Sequence, residues 1–260
     1  MSKTSHIDHL GRTITLNAYP KRIVSLVPSQ TELLIKLGLK HLLVGITNYC
    51  IHPQKDIHFI SKIGGTKTPK LNAILALAPD LVIANKEENN LSDVEAISKN
   101  TAVWVSDISS YEDNFKLIID LGKLFNKTTE ATILCSEIKD NWNKVPTFKS
   151  KSCLYFIWRK PYMLAGKDTF INSVLAKSGF DNIISQNRYP TQSVEQLRVL
   201  NPELVLLSTE PYSFKEKHIS EFRELFPKAI IKIVDGELFS WYGSRQKLLP
   251  SYLIELKKSI

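Results

Sequence analysis

The sequence predicts an α/β protein: two parallel-sheet α/β lobes bridged by one long backbone helix. Three observations carry this expectation. Short apolar runs alternate with amphipathic stretches along the chain, the pattern of strand–helix units whose strands pair in parallel. One form occurs twice, as LNAILALAPDLVIA (71–84) and VEQLRVLNPELVLLS (194–208); each is a helix running into Pro-Asp/Glu-Leu-Val and an apolar strand, which points to two lobes of similar topology. Between the copies, Thr128 to Val145 reads as one uninterrupted helix. Leu134, Ile138, Trp142 and Val145 form an apolar stripe at the helical period, and Pro146 stops it. The boundaries that follow are 1–126 for the first lobe, 127–146 for the backbone helix and 147–260 for the second lobe.

Taken in order, Ile7 to Leu16 reads as a hairpin with Gly11 at the turn. Arg22 to Val27 is an apolar strand. Ser29 as N-cap with Glu32 three residues on opens a helix that Gly38 closes. Leu42 to Ile46 is a strand, and an irregular stretch runs through Gly64-Gly65. Leu71 to Leu77 is a helix, Leu81 to Ala84 a strand, Asp93 to Lys99 a helix, Ala102 to Val105 a strand and Tyr111 to Phe125 a helix. Beyond the backbone helix, strands are expected at Cys153–Trp158, Leu204–Leu207 and Ile230–Val234. Helices are expected at Ile171–Ser178, Ser193–Leu200, His218–Leu225 and Leu248–Lys257.

The totals narrow the function classes. The chain has 260 residues, 43% of them apolar, a composition that buries real cores. Its net charge is +8, but the Lys and Arg residues are scattered and no basic helix with interleaved aromatics is present, which argues against a nucleic-acid partner. Three widely spaced cysteines, Cys50, Cys135 and Cys153, form neither a disulfide framework nor a zinc pattern and suit a reducing compartment. MSKTSHIDHLGRTITL lacks an apolar signal region, and no run of 18 apolar residues exists. As it stands the sequence implies a cytoplasmic protein; a chain whose leader had been removed would be periplasmic.

No catalytic signature is present. Gly64-Gly65 lacks the spacing of a phosphate loop, and Ser25, Ser29 and Ser240 have no identifiable His and Asp partners. The six histidines have no paired helical spacing, and His6 with His9 reads as a solvated tail. Cys50-x-His52 is the sharpest metal-like pair, yet a structural zinc site wants four ligands, so no metal site is assigned. What stands out is a set of aromatic and polar residues that follow strands, where parallel α/β lobes bind ligands, with Tyr189 in the loop before the 193–200 helix. These are Tyr49, Trp158, Arg159, Tyr189, Trp241, Tyr242 and Arg245. The aromatics offer flat faces to a large ring, and Arg159 and Arg245 could hold its carboxylates or phosphates.

The segments GRTITLNAYPKRIVSLVPSQTELLIKLGL, VGITNYCIHP, KIGGTKTPKLNAILALAPDLVIA, RYPTQSVEQLRVLNPELVLLS and FSWYGSR resemble the periplasmic-binding proteins of iron-complex and cobalamin ABC importers, closest to the cobalamin binders. The resemblance covers nearly the whole chain. It implies a non-enzymatic receptor, monomeric, with no intrinsic cofactor, that holds cobalamin or an iron chelate in an interlobe cleft and delivers it to an ABC permease. Residue by residue, it implies that Tyr49 stacks on the ligand, that Thr66 replaces a tryptophan lining the corrinoid site, and that Tyr189 replaces a second one. Glu195 matches the glutamate with which the second lobe docks on the permease, while Asn72 stands at the matching first-lobe position. The alternatives are an iron-siderophore or haem-binding protein, and a cytoplasmic metal-handling protein on the same fold using Cys50 and His52.

Overall fold

Apolar runs without polar alternation suit strands covered on both faces, and here they pair in parallel. The computed structural model describes residues 3–260. They form two units: residues up to 108, 113–137 and 242–245 in the first; 109–112, 138–241 and 246–260 in the second.

The first unit opens with β1 (Thr4–Ile7) and β2 (Thr13–Leu16), an antiparallel hairpin. In β2 the alternation is real: Ile14 and Leu16 are buried while Thr13 and Thr15 face water. The hairpin turn is fixed by Asp8, whose Oδ1 accepts the N–H groups of Leu10 (3.0 Å) and Arg12 (2.9 Å). A five-stranded sheet follows from β3 (Ile23–Ser25), β4 (Leu43–Ile46), β5 (Ser61–Lys62), β6 (Leu81–Asn85) and β7 (Ala102–Ser106). Its order is β5-β4-β3-β6-β7, and every pairing is parallel. The helices are α1 (Pro28–Lys36), α2 (Gln54–Ile57), α3 (Leu71–Ala76), α4 (Leu91–Ser98) and, from residue 113 on, α5 (Tyr111–Leu124).

The start of α1 differs from the expected capping box. Pro28 occupies the first helical turn and Val27 is the N-cap, with no side-chain bond. Proline suits that place because its missing N–H would be unpaired there, and Glu32 is left for a different partner. The helix end is as expected: Gly38 sits at φ +81°, and its N–H bonds to the Ile35 carbonyl at 2.9 Å.

Helix α6 (Thr128–Trp142) is the expected long helix, three residues shorter than its sequence pattern. Its apolar stripe is buried at Leu134, Ile138 and Trp142, with Ala131 and Cys135. The division between the units falls inside it, between Glu137 and Ile138.

The second unit is built on β8 (Lys151–Trp158), β9 (Tyr162–Leu164), β10 (Phe180–Asn182), β11 (Thr191–Gln192), β12 (Leu204–Ser208) and β13 (Ile230–Val234). Strands β8, β12 and β13 pair in parallel, and β10 pairs in parallel with the start of β8. Strands β9 and β11 add an antiparallel edge. Helices α7 (Phe170–Lys177), α8 (Val194–Arg198), α9 (Ile219–Leu225), α10 (Gly236–Ser240) and α11 (Leu249–Lys257) complete the unit. Phe156, Phe214 and Phe222 anchor its core beside Leu154, Val205 and Leu207. Among the described residues, no helix is long and apolar enough to cross a membrane.

The repeated Pro-Asp/Glu has a structural meaning. In the first unit, Asp80 Oδ2 accepts the N–H groups of Lys21 (2.7 Å) and Arg22 (3.0 Å), at the start of the strand beside β6. In the second, Glu203 Oε2 accepts the N–H of Ser152 at 2.8 Å, at the start of the strand beside β12. Each carboxylate satisfies backbone donors that a strand end leaves open.

Candidate functional site

In the first unit, Tyr49 follows β4 and is 64% exposed. Its ring lies against Gly65, where an added Cβ would stand 3.5 Å from Tyr49 Cε2. Thr66 is buried, and its carbonyl accepts a hydrogen bond from Asn89 Nδ2 at 2.9 Å. The carboxyl ends of β6 and β7 carry a buried polar network that the sequence reading missed. Gln30 Nε2 donates to Ser106 Oγ (2.5 Å) and to the Tyr242 phenol (3.2 Å), and Asn85 Nδ2 donates to Ser106 Oγ (2.9 Å). The signal available in the sequence was Gln30 itself, an amide on the buried face of α1.

Tyr242 and Arg245 belong by their contacts to this first unit, although they follow β13 in the chain. Burial pushes the Tyr242 phenol above its ordinary pKa and keeps it neutral. Arg245 is 8% exposed and its Nε donates to Glu32 Oε2 at 2.9 Å. Arg245 therefore has a counter-charge of its own.

In the second unit, Trp158 ends β8 and is 40% exposed. It meets the Tyr212 ring edge-on at a centroid distance of 5.6 Å. Arg159 is engaged by Glu221: Nε and Nη2 reach the same carboxylate oxygen at 2.8 and 2.7 Å, while the Tyr162 hydroxyl donates to the other oxygen. Tyr189 is half-buried beneath the Arg188 guanidinium, 5.8 Å from its ring. Trp241 is 9% exposed, and its carbonyl accepts a hydrogen bond from Gln246 Nε2 at 2.8 Å. Glu195 is exposed in the first turn of α8, the helix capped by Ser193 and Gln196. Asn72 holds the same place in α3.

The structure thus groups Tyr49 with Thr66, joins Tyr242 and Arg245 to α1, and joins Trp158 and Arg159 to Tyr212 and Glu221. Tyr189 lies beside Arg188. Trp241, Tyr242 and Arg245 do not lie on an open strand-end loop as expected: α10 and a 3-10 turn (Ser244–Lys247) intervene, and all three are buried. Tyr49 and Trp158 are the members of the set left with large exposed faces.

Two further expectations are corrected. His9 is no solvated tail: its side chain is 2% exposed, 3.4 Å from Asp120, with its ring edge-on to Trp104. The Cys50 thiol points inward, 3.2 Å from each of the Thr31 and Thr47 hydroxyls, and burial pushes its pKa up. A protonated, enclosed thiol is a poor metal ligand. Among the described residues, no three His, Cys, Asp or Glu side chains are grouped to hold a metal ion.

A concavity of about 790 Å³ in the first unit is lined by residues including Arg12, Leu16, Tyr19, Asp80, Asn100 and Val103. Asp80 and Asn100 precede β6 and β7, so it opens at the amino ends of the strands, opposite the end at which parallel sheets bind ligands. It does not contribute to the candidate site.

Residues 23–232 match the family described as periplasmic binding protein. The chain is 29% identical over 213 residues to an uncharacterized ABC transporter substrate-binding lipoprotein, YvrC, of Bacillus subtilis, covering 76% of this chain and 67% of that protein. It is 27% identical over 209 residues to a vitamin B12-binding protein of Vibrio campbellii, covering 76% and 74%. The crystal structure of a periplasmic heme binding protein from Pseudomonas aeruginosa matches 91% of this chain and 92% of its own, with a TM-score of 0.77 and 20% identity. At that identity the likeness is one of fold.

Proposed function

We propose that this chain, which belongs to the periplasmic binding protein family, captures a corrinoid, cobalamin foremost, and hands it to an ABC permease. One observation carries the reading. Tyr49 and Trp158 each follow or end a parallel strand and remain 64% and 40% exposed. A large aromatic left in water forgoes about 2 kcal/mol of burial, and a planar ligand stacked on it would recover much of that. The vitamin B12-binding relative supports this ligand class.

The mechanism is capture without chemistry. Tyr49 supplies a stacking face in the first unit; in the second, Trp158 supplies one and Tyr189 another. Thr66, Trp241 and Tyr242 are buried, and Arg159 and Arg245 are held by Glu221 and Glu32. Each arginine is already paired, so neither needs an anionic ligand to balance it. Glu195, exposed at the start of α8, is the docking residue for the permease. The protein acts as a monomer on the outer face of the cytoplasmic membrane, a placement supported by the lipoprotein named among its relatives.

The second reading, a haem or ferric chelate, draws on the net charge of +8, which favours an anionic ligand. Co-elution separates the readings. The protein is mixed with cyanocobalamin, haemin or ferric citrate, passed through a desalting column and scanned for the ligand's absorbance. Retention of the corrinoid band alone supports the first reading. Retention of haemin or ferric citrate alone replaces it with the second. In a reconstituted transporter, Glu195→Lys should leave capture intact and reduce delivery.

A further inference from the structure

We infer that Lys62 positions Tyr49 for its ligand, clamping the loop Thr47–Cys50 by both ends; this rests on the reading of Tyr49 as a stacking face. Lys62 ends β5, the edge strand beside β4. Its Nζ donates to the Cys50 carbonyl at 3.0 Å and to the Thr47 carbonyl at 3.3 Å. Those carbonyls bracket Tyr49, so one ammonium closes the loop that carries the ring.

The rest of the loop is tied from beneath. The Asn48 N–H donates to the Gly64 carbonyl at 2.8 Å, and the Cys50 N–H to the Thr47 carbonyl at 3.2 Å. The Cys50 thiol is enclosed by Thr31 and Thr47. Gly65 forms the floor under the ring. An added Cβ there would meet Thr68 Oγ1 at 2.7 Å, so a side chain would disturb the turn against which Tyr49 lies.

These ties fix the backbone that carries a ring mostly in water. Ordering a loop at the moment of binding subtracts from affinity, and ordering it beforehand removes that cost. The buried ties belong to the core of the unit. Lys62 is exposed, so the clamp can be removed without opening the core.

The test is a double-mutant cycle on the full chain with cyanocobalamin as probe, using Tyr49→Ala, Lys62→Met and both together. Cyanocobalamin has no net charge, so loss of a positive charge alone leaves its affinity unchanged. Lys62→Met should weaken binding about fivefold, Lys62→Arg should restore most of the loss, and the double variant should bind no worse than Tyr49→Ala. Hydrogen exchange of the ligand-free protein is read in parallel: Lys62→Met should speed exchange across residues 48–51 and leave β3 and β6 unchanged. Unchanged exchange at 48–51, or a double variant that loses the sum of both single effects, overturns the inference. If the wild type binds no corrinoid, the functional reading fails and the exchange result alone decides whether Lys62 clamps the loop.

Discussion

Arg159 and Glu221 meet through two guanidinium nitrogens on one carboxylate oxygen, at 2.8 and 2.7 Å, and the second oxygen takes the Tyr162 hydroxyl. This joins the residue that follows β8 to α9. Removing the carboxylate leaves two partly covered donors without their acceptor. Glu221→Ala should lower stability by about 1–2 kcal/mol, read from urea unfolding.

The same pair has a pH signature. Burial opposes the charge on Glu221, yet the Tyr162 hydroxyl and Arg159 together hold its pKa below the ordinary value. A carboxylate with a depressed folded pKa stabilises above its unfolded value and loses that contribution in acid. The stability difference between wild type and Glu221→Gln should be full at neutral pH and shrink below about pH 4.

His9 titrates in a different window. Burial, then Lys116, lowers its pKa, against the opposing pull of the Asp107 backbone and Asp120. The folded protein therefore resists protonation that the unfolded chain accepts, and stability should fall as the pH drops below about 6.5. His9→Phe keeps a ring against Trp104 and removes the titration. Its unfolding free energy should lose less than the wild type's between about pH 7 and pH 5. His218, also shifted down, is present in both proteins and cancels from the comparison.

Asp80 offers a test of the internal repeat. Its carboxylate holds two backbone N–H groups at the start of β3. Asp80→Ala should destabilise by about 1–2 kcal/mol, with faster hydrogen exchange at β3 and β6. Glu203→Ala should act in the same direction on β8 and β12.

The parallel strands were legible because strands covered on both faces read as unbroken apolar runs, as RIVSLV and ELVLLS do. The Pro-Asp/Glu repeat was legible because one clamp is used in both units. Strands β9, β10 and β11 escaped because they have two or three residues each, too few to show a period. The stretch after β13 was harder still. Trp241, Tyr242 and Arg245 have the composition of a ligand loop, but Gln30, Glu32 and Gln246 bury them through partners remote in the chain or within a short turn. His9 was misread for the same reason: Asp120 lies more than a hundred residues away. Tyr49 and Trp158 were visible as aromatics at strand ends. That they remain exposed while Trp241 and Tyr242 are buried depends on tertiary packing.

The most direct test is isothermal titration of cyanocobalamin into the wild type and into Tyr49→Ala/Trp158→Ala. Both side chains are substantially exposed, so the double variant should unfold at nearly the wild-type temperature. The account predicts submicromolar binding by the wild type and a loss of at least about tenfold in the variant. Equal affinity in the two proteins, or no binding by the wild type, would contradict it.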